Sequence, residues 1–258
     1  MLDVSRADLI AGVAGSGTMG RGIVQVLAQC GLRTLVFDAQ PGSAQRAKLA
    51  LGETLGKLVE RGKLERTAAG ATLARIEIVD SLEAFAPCHL VVEAIVEDLG
   101  AKRELFSKLE AVVVAECILA SNTSSLSVTA MAAACKRPQR VAGYHFFNPV
   151  PVMKIVEVVA GELTEPRVIE ALSLLARRFG HTPVRCKDTP GFVVNHAGRA
   201  YVPEALRILS EGVADFATMR ASSLPSSSFS SGTAQTVSGF AFPGRGESGK
   251  GCAVPSLL

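Results

Sequence analysis

The 258-residue sequence predicts an α/β fold: a doubly wound, mainly parallel sheet, followed by a truncated helical region and a flexible tail. Three observations carry that expectation. From residue 9 to 120, short apolar runs alternate with longer segments of helical spacing, the pattern of a parallel sheet covered by helices on both faces. A glycine cluster falls where the first apolar run meets the first helical segment, the junction that a strand–turn–helix unit uses for its tightest turn. Near residue 220 both periodicities stop and Ser, Gly, Pro and Ala take over.

Taken in order, "LIAGVA" (9–14) reads as the first strand, although Gly12 within it weakens packing. "MGRGIVQVLAQCG" has helical spacing and ends at Gly31, a helix stop signal. "RTLVFD" is a second short strand, and "GSAQRAKLALGETLGKLVERG" is a long helix. Further strands are expected in "ARIEIV", "HLVVEAIV", "ECILAS" and "RVAGYHFF", with a helix over 100–115 between two of them. "GFVVNHAGRAYVPEALRILSEG" reads as a helix entering a separate helical region. The expected organisation is a dinucleotide-binding domain over 1–188, the start of a helical domain over 189–219, and a tail over 220–258. The tail holds too little clustered apolar surface to offset the entropy of ordering it.

Composition excludes several classes. Apolar content of 48% and charged content of 20% belong to a globular chain rather than a disordered one. A net charge of +3 without a basic run argues against nucleic acid, and no apolar run approaches the length of a membrane span. Charges within "MLDVSRADLIAG" argue against a secretory signal, so a cytoplasmic location is expected. The six cysteines lack paired spacing and most read as reduced core residues, and His89, His181 and His196 form no metal-ligand pattern.

Gly15-Ser16-Gly17-Thr18-Met19-Gly20 is a GxGxxG match between a strand and a helix, the context that makes it a Rossmann-type dinucleotide loop. Gly15 permits the tight turn, Gly17 lets a pyrophosphate approach the backbone, and Gly20 allows close helix–strand packing. Asp38 ends the second strand, 23 residues after Gly15, where a carboxylate can accept both ribose hydroxyls. It would repel a 2′-phosphate, and Ala39 and Gln40 offer no arginine to receive one, so NAD is favoured over NADP.

"AGYHFFNPVPVMKIVEVV" (142–159) sets His145 and Glu157 in an apolar run. From the residues alone, His145 is either a buried histidine with a satisfied hydrogen bond or a chemical centre. Together with "VVEAIVEDLGAKRELF", "ASNTSSL" and "CKDTPGFVVN", this stretch resembles the 3-hydroxyacyl-CoA dehydrogenase family, over residues from about 9 to 219. The likeness is to the short bacterial 3-hydroxybutyryl-CoA and 3-hydroxyadipyl-CoA enzymes. It implies NAD-dependent oxidation of a 3-hydroxyacyl-CoA thioester, with His145 as base and Glu157 as its partner. It also implies substrate-oxygen contacts from Ser124 and Asn195. Glu97, Lys102 and Asn148 match coenzyme contacts, with Ser124 serving both ligands. Arg61 and Lys63, after the long helix, are the candidates for the CoA phosphates.

Members of the family continue beyond "EALRILSEGVADFATM" into helices that close the cleft and form a homodimer. None is recognisable here past about Arg220. A reading-frame shift at that point is the expectation, with the dimer compromised, coenzyme binding retained and turnover strongly reduced.

Overall fold

The computed structural model describes residues 4, 6 and 8–218. The tail expected over 220–258 lies outside them. One eight-stranded sheet organises the fold, in the order β3-β2-β1-β4-β5-β6-β7-β8. The six strands expected from the sequence are β1 (Ile10–Ala14), β2 (Arg33–Phe37), β3 (Ile76–Ile78), β4 (Leu90–Glu93), β5 (Ile118–Ser121) and β6 (Val141–Phe146). All six are parallel to their neighbours within this set. Two more strands extend the sheet: β7 (Ile155–Ala160), antiparallel to β6, and β8 (Thr182–Lys187), parallel to β7.

The helices are α1 (Thr18–Gln29), α2 (Ser43–Glu60), α3 (Arg66–Ala74), α4 (Leu99–Val112), α5 (Val128–Ala132), α6 (Pro166–Arg178) and α7 (Val194–Ser210). Central strands are apolar on both sides because both faces are covered. Leu90 and Val92 join one core cluster, with Ile23, Leu27, Tyr144 and Leu172, whereas Val91 joins a second with Phe106, Leu119 and Met131. That split follows from the alternation of side chains along a strand. Gly12 belongs to this packing: a Cβ there would stand 3.2 Å from both the Cys88 sulfur and the Phe85 ring.

The strand order reverses at β1, which lies between β2 and β4. Crossovers leave β1 in opposite directions, so a crevice opens at the carboxyl ends of β1 and β4, the usual ligand position in such sheets. The chain divides into two compact units, Met1–His196 and Ala197–Leu258. Every site residue considered below belongs to the first. In the described part of the second, Val202 and Leu206 lie one helical turn apart, 62% and 59% exposed.

Candidate active site

The glycine loop is built by contact rather than by flexibility alone. Gly15 has φ +100°, and a Cβ there would stand 2.5 Å from the Ala94 carbonyl oxygen. A Cβ on Gly20 would lie 1.9 Å from the Gly15 carbonyl oxygen, so α1 packs directly on the turn. Gly17 differs, because a Cβ there would meet nothing within 4 Å. It is also the N-cap of α1, with no side chain capping the helix. Open space and uncapped helix N–H groups at the same position fit a pyrophosphate.

Asp38 follows β2 and binds back to this loop. Its Oδ2 accepts from the Ser16 N–H at 2.8 Å and the Ser16 hydroxyl at 2.6 Å, and its Oδ1 accepts from the Gln40 N–H at 2.9 Å. Burial raises the carboxyl pKa, but these hydrogen bonds outweigh it and hold the group below the usual value. A carboxylate has about four lone-pair sites; two of them secure the loop and a third takes the Gln40 N–H, which leaves about one for a ligand.

Charged groups gather beyond β4. Lys102 lies in the first turn of α4, whose start is capped by Asp98 accepting from the Ala101 N–H at 2.7 Å. Its ammonium is 2.5 Å from Glu93 Oε1 and 3.2 Å from Glu97 Oε2. Glu97 Oε1 accepts from the Thr123 hydroxyl at 2.6 Å and the Ser124 N–H at 3.0 Å. Burial raises the Glu97 pKa, and these bonds with the Lys102 charge bring it below the ordinary range.

β6 and β7 supply the central pair. Their antiparallel register sets His145 opposite Glu157, and His145 Nδ1 lies 2.7 Å from Glu157 Oε2. Both are buried, His145 at 6% and Glu157 at 0% exposure. A carboxylate can only accept, so the contact places a proton on Nδ1, and in the neutral ring the lone pair then falls on Nε2. Among the described residues Nε2 has no hydrogen-bond partner. Phe147 packs on the ring with centroids 4.4 Å apart. Glu157 Oε1 accepts from the Val193 and Val194 N–H groups at 2.9 and 2.8 Å, tying the start of α7 to the pair. In the next residue, the Asn195 amide donates to the Ser124 carbonyl at 3.3 Å.

One cleft of about 540 Å³ collects these elements. Gly17, Thr18, Met19, Glu97, Lys102, Ser124, His145, Asn148 and Asn195 all line it. Gly15, Ser16 and Gly20 shape the loop behind it, and Glu157 backs His145. Arg61 and Lys63 are exposed in the turn after α2 and do not line the cleft. The five described cysteines are free. Cys186 is pushed up to about 12 by burial and by the charges of Glu157 and Asp188, so it stays a thiol rather than a nucleophilic thiolate.

Residues 10–189 match the family model described as 3-hydroxyacyl-CoA dehydrogenase, NAD binding domain. The chain belongs to the 3-hydroxyacyl-CoA dehydrogenase family. It is 46% identical over 202 residues to 3-hydroxyadipyl-CoA dehydrogenase of Escherichia coli K12, covering 78% of this chain but 42% of that relative. It is 45% identical over 204 residues to a probable 3-hydroxybutyryl-CoA dehydrogenase of Deinococcus radiodurans, covering 79% and 73%. The crystal structure of 3-hydroxybutyryl-CoA dehydrogenase from E. coli K12 superposes with TM-score 0.78 at 45% identity, covering 80% of this chain and 44% of that one. The chain therefore spans less than half the length of the E. coli relative.

Within this domain, sequence reasoning missed Glu93, Ser121, Asn122 and Phe147. Asn122 lines the cleft and accepts the Phe146 N–H at 2.9 Å, holding the strand end that carries His145. A buried acid ending an apolar run was the available signal for Glu93.

Proposed function

We propose that this chain carries the NAD-dependent, reversible oxidation of a (3S)-3-hydroxyacyl-CoA to a 3-oxoacyl-CoA, with His145 as general base. The observation that supports it is the buried His145–Glu157 contact at 2.7 Å on the wall of the cleft that the glycine loop opens into. NAD, when bound, supplies the hydride acceptor. Gly17, Thr18 and Met19 would hold its pyrophosphate, Asp38 its ribose side, and Glu97, Lys102 and Asn148 the other half.

His145 Nε2 takes the hydroxyl proton of the substrate. Glu157 keeps the imidazole in the tautomer that leaves Nε2 basic, and stabilises the imidazolium once the proton has moved. The Ser124 hydroxyl and the Asn195 amide donate to the substrate oxygen as charge develops on it. Asn195 can do so by exchanging its bond to the Ser124 carbonyl for one to the substrate. Arg61 and Lys63, exposed in the turn after α2, would serve the CoA phosphates, a role that an Arg61→Ala/Lys63→Ala variant tests through KM for CoA thioesters.

Mixing the protein with acetoacetyl-CoA and NADH and following absorbance loss at the nicotinamide band tests the whole reading. Turnover that disappears in His145→Gln supports it, and turnover unchanged by that substitution overturns the base assignment. A second reading is an NAD-binding protein of impaired turnover, supported by the match of residues 10–189 to an NAD binding domain model. Saturable NADH binding without turnover distinguishes it.

A further inference from the structure

We propose that Glu93, which has no place on the cleft wall, is a positioning residue. It holds the Lys102 ammonium at the cleft and so sets coenzyme affinity; this rests on the coenzyme reading above. Glu93 ends β4 and is 0% exposed, yet each of its oxygens is occupied. Oε1 accepts from Lys102 Nζ at 2.5 Å and from the Ile95 N–H at 2.7 Å, and Oε2 accepts from the Ser121 hydroxyl at 2.6 Å.

Its place in the sheet explains why a charge stands here. Glu93 is in register with Ala14, one residue before the glycine loop, and with Ser121, the last residue of β5. The residue after it, Ala94, carries the carbonyl that packs on Gly15. Glu93 thus joins three pieces of the cleft: the loop after β1, the segment after β5, and α4 through Lys102.

Lys102 is 1% exposed and lines the cleft. An ammonium has three donors, and two are directed at Glu93 and Glu97, which leaves one for a ligand in the cleft. Glu97 cannot replace Glu93 as counter-charge. Its side chain is 40% exposed, its contact is longer at 3.2 Å, and its other oxygen is taken by Thr123 and Ser124. A buried ammonium deprived of its buried carboxylate either turns away or loses its proton.

Glu93→Gln keeps the shape and the Oε1 acceptor for Lys102 and Ile95 while removing the charge, its amide nitrogen donating to the Ser121 hydroxyl oxygen instead of accepting from it. Fluorescence titration should show NADH binding weakened about tenfold, the scale on which contacting charges couple, with the melting transition retained. Lys102→Met should weaken binding similarly, and the double variant should bind no more weakly than Lys102→Met alone. Additive losses overturn the proposal, because Glu93 would then act without Lys102. Should Glu93→Gln fail to fold, the neutral double variant supplies the comparison: affinity equal to Lys102→Met supports the proposal, and a further loss overturns it.

A coenzyme-free measurement separates this from the site reading. Acetylation of Lys102 by acetic anhydride, read by peptide mass spectrometry, should be slow in the wild type and faster in Glu93→Gln. Equal labelling overturns the pairing. Wild-type protein that labels as expected yet binds no NADH overturns the coenzyme role.

Discussion

His145 is useful to a base-catalysed oxidation only if its outward nitrogen lacks a proton, and Glu157 decides that. In Glu157→Gln the amide Oε1 can still accept from Val193 and Val194, but the amide nitrogen would face Nδ1 and donate to it. The ring would then carry its proton on Nε2. This variant should fold with a melting temperature near wild type and lose kcat by about 10²- to 10⁴-fold, the range of a general base. Glu157→Ala goes further, stripping two backbone N–H groups of their acceptor at about 1–3 kcal/mol each, and should melt lower as well as being inactive. Phe192 contributes at the same scale. Its φ of +49° is the left-handed region, and it precedes the two N–H groups that meet Glu157. Such a conformation costs about 1–3 kcal/mol, offset here by those two bonds and by burial of the ring at 3% exposure.

The glycine loop separates folding from binding at the element scale. Gly20 has no room for a Cβ, whereas Gly17 has open space and a φ of −62° that any residue adopts. Gly17→Ala should therefore leave stability within about 0.5 kcal/mol while weakening NADH binding, because the methyl group occupies the phosphate's path. Gly20→Ala should lower the melting temperature, since α1 must move off the Gly15 carbonyl. Thermal melts and NADH titration of both variants check the contrast, and equal effects on the two readouts would contradict it. Asp38 joins this element through Ser16, so Ser16→Ala, which removes the hydroxyl bond and keeps the N–H bond, should loosen the loop and leave the side chains of the cleft wall in place.

Across the whole molecule, three depressed carboxyls hold separate parts of the first unit together. Asp38 secures the glycine loop, Glu97 the segment after β5, and Asp188 the start of α5 through Ser127, Val128 and Thr129. In each, burial raises the pKa but hydrogen bonds lower it further. A carboxyl lowered by folding stabilises the fold fully above its unfolded value, about 3.9 to 4.3, and loses that contribution as pH falls through the folded value. Stability should accordingly decline as pH drops below about 4, and Asp188→Asn should shrink that acid-dependent part. Urea melts across the acid range measure both.

Much of this protein could be read from sequence because the signals are local. β1 to β6, α1, α2 and α4 follow from hydrophobic period and stop residues, and the glycine loop follows from its position between strand and helix. β7 and β8 escaped because "NPVPVMK" hides one strand behind two prolines, and β8 is an edge strand with Pro183 and exposed residues. Glu157's contact with His145 came from the resemblance, and 12 residues of separation could not show it. Only the antiparallel register of β6 and β7 puts the two opposite each other. The contacts of Glu93 with Lys102 and Ser121, and of Asp38 with Ser16, had no sequence signal of their own, although Glu93, Lys102 and Asp38 each had one. Each joins different strands, loops or helices, and which groups meet there depends on pairing register, a property of the assembled sheet rather than of any one segment.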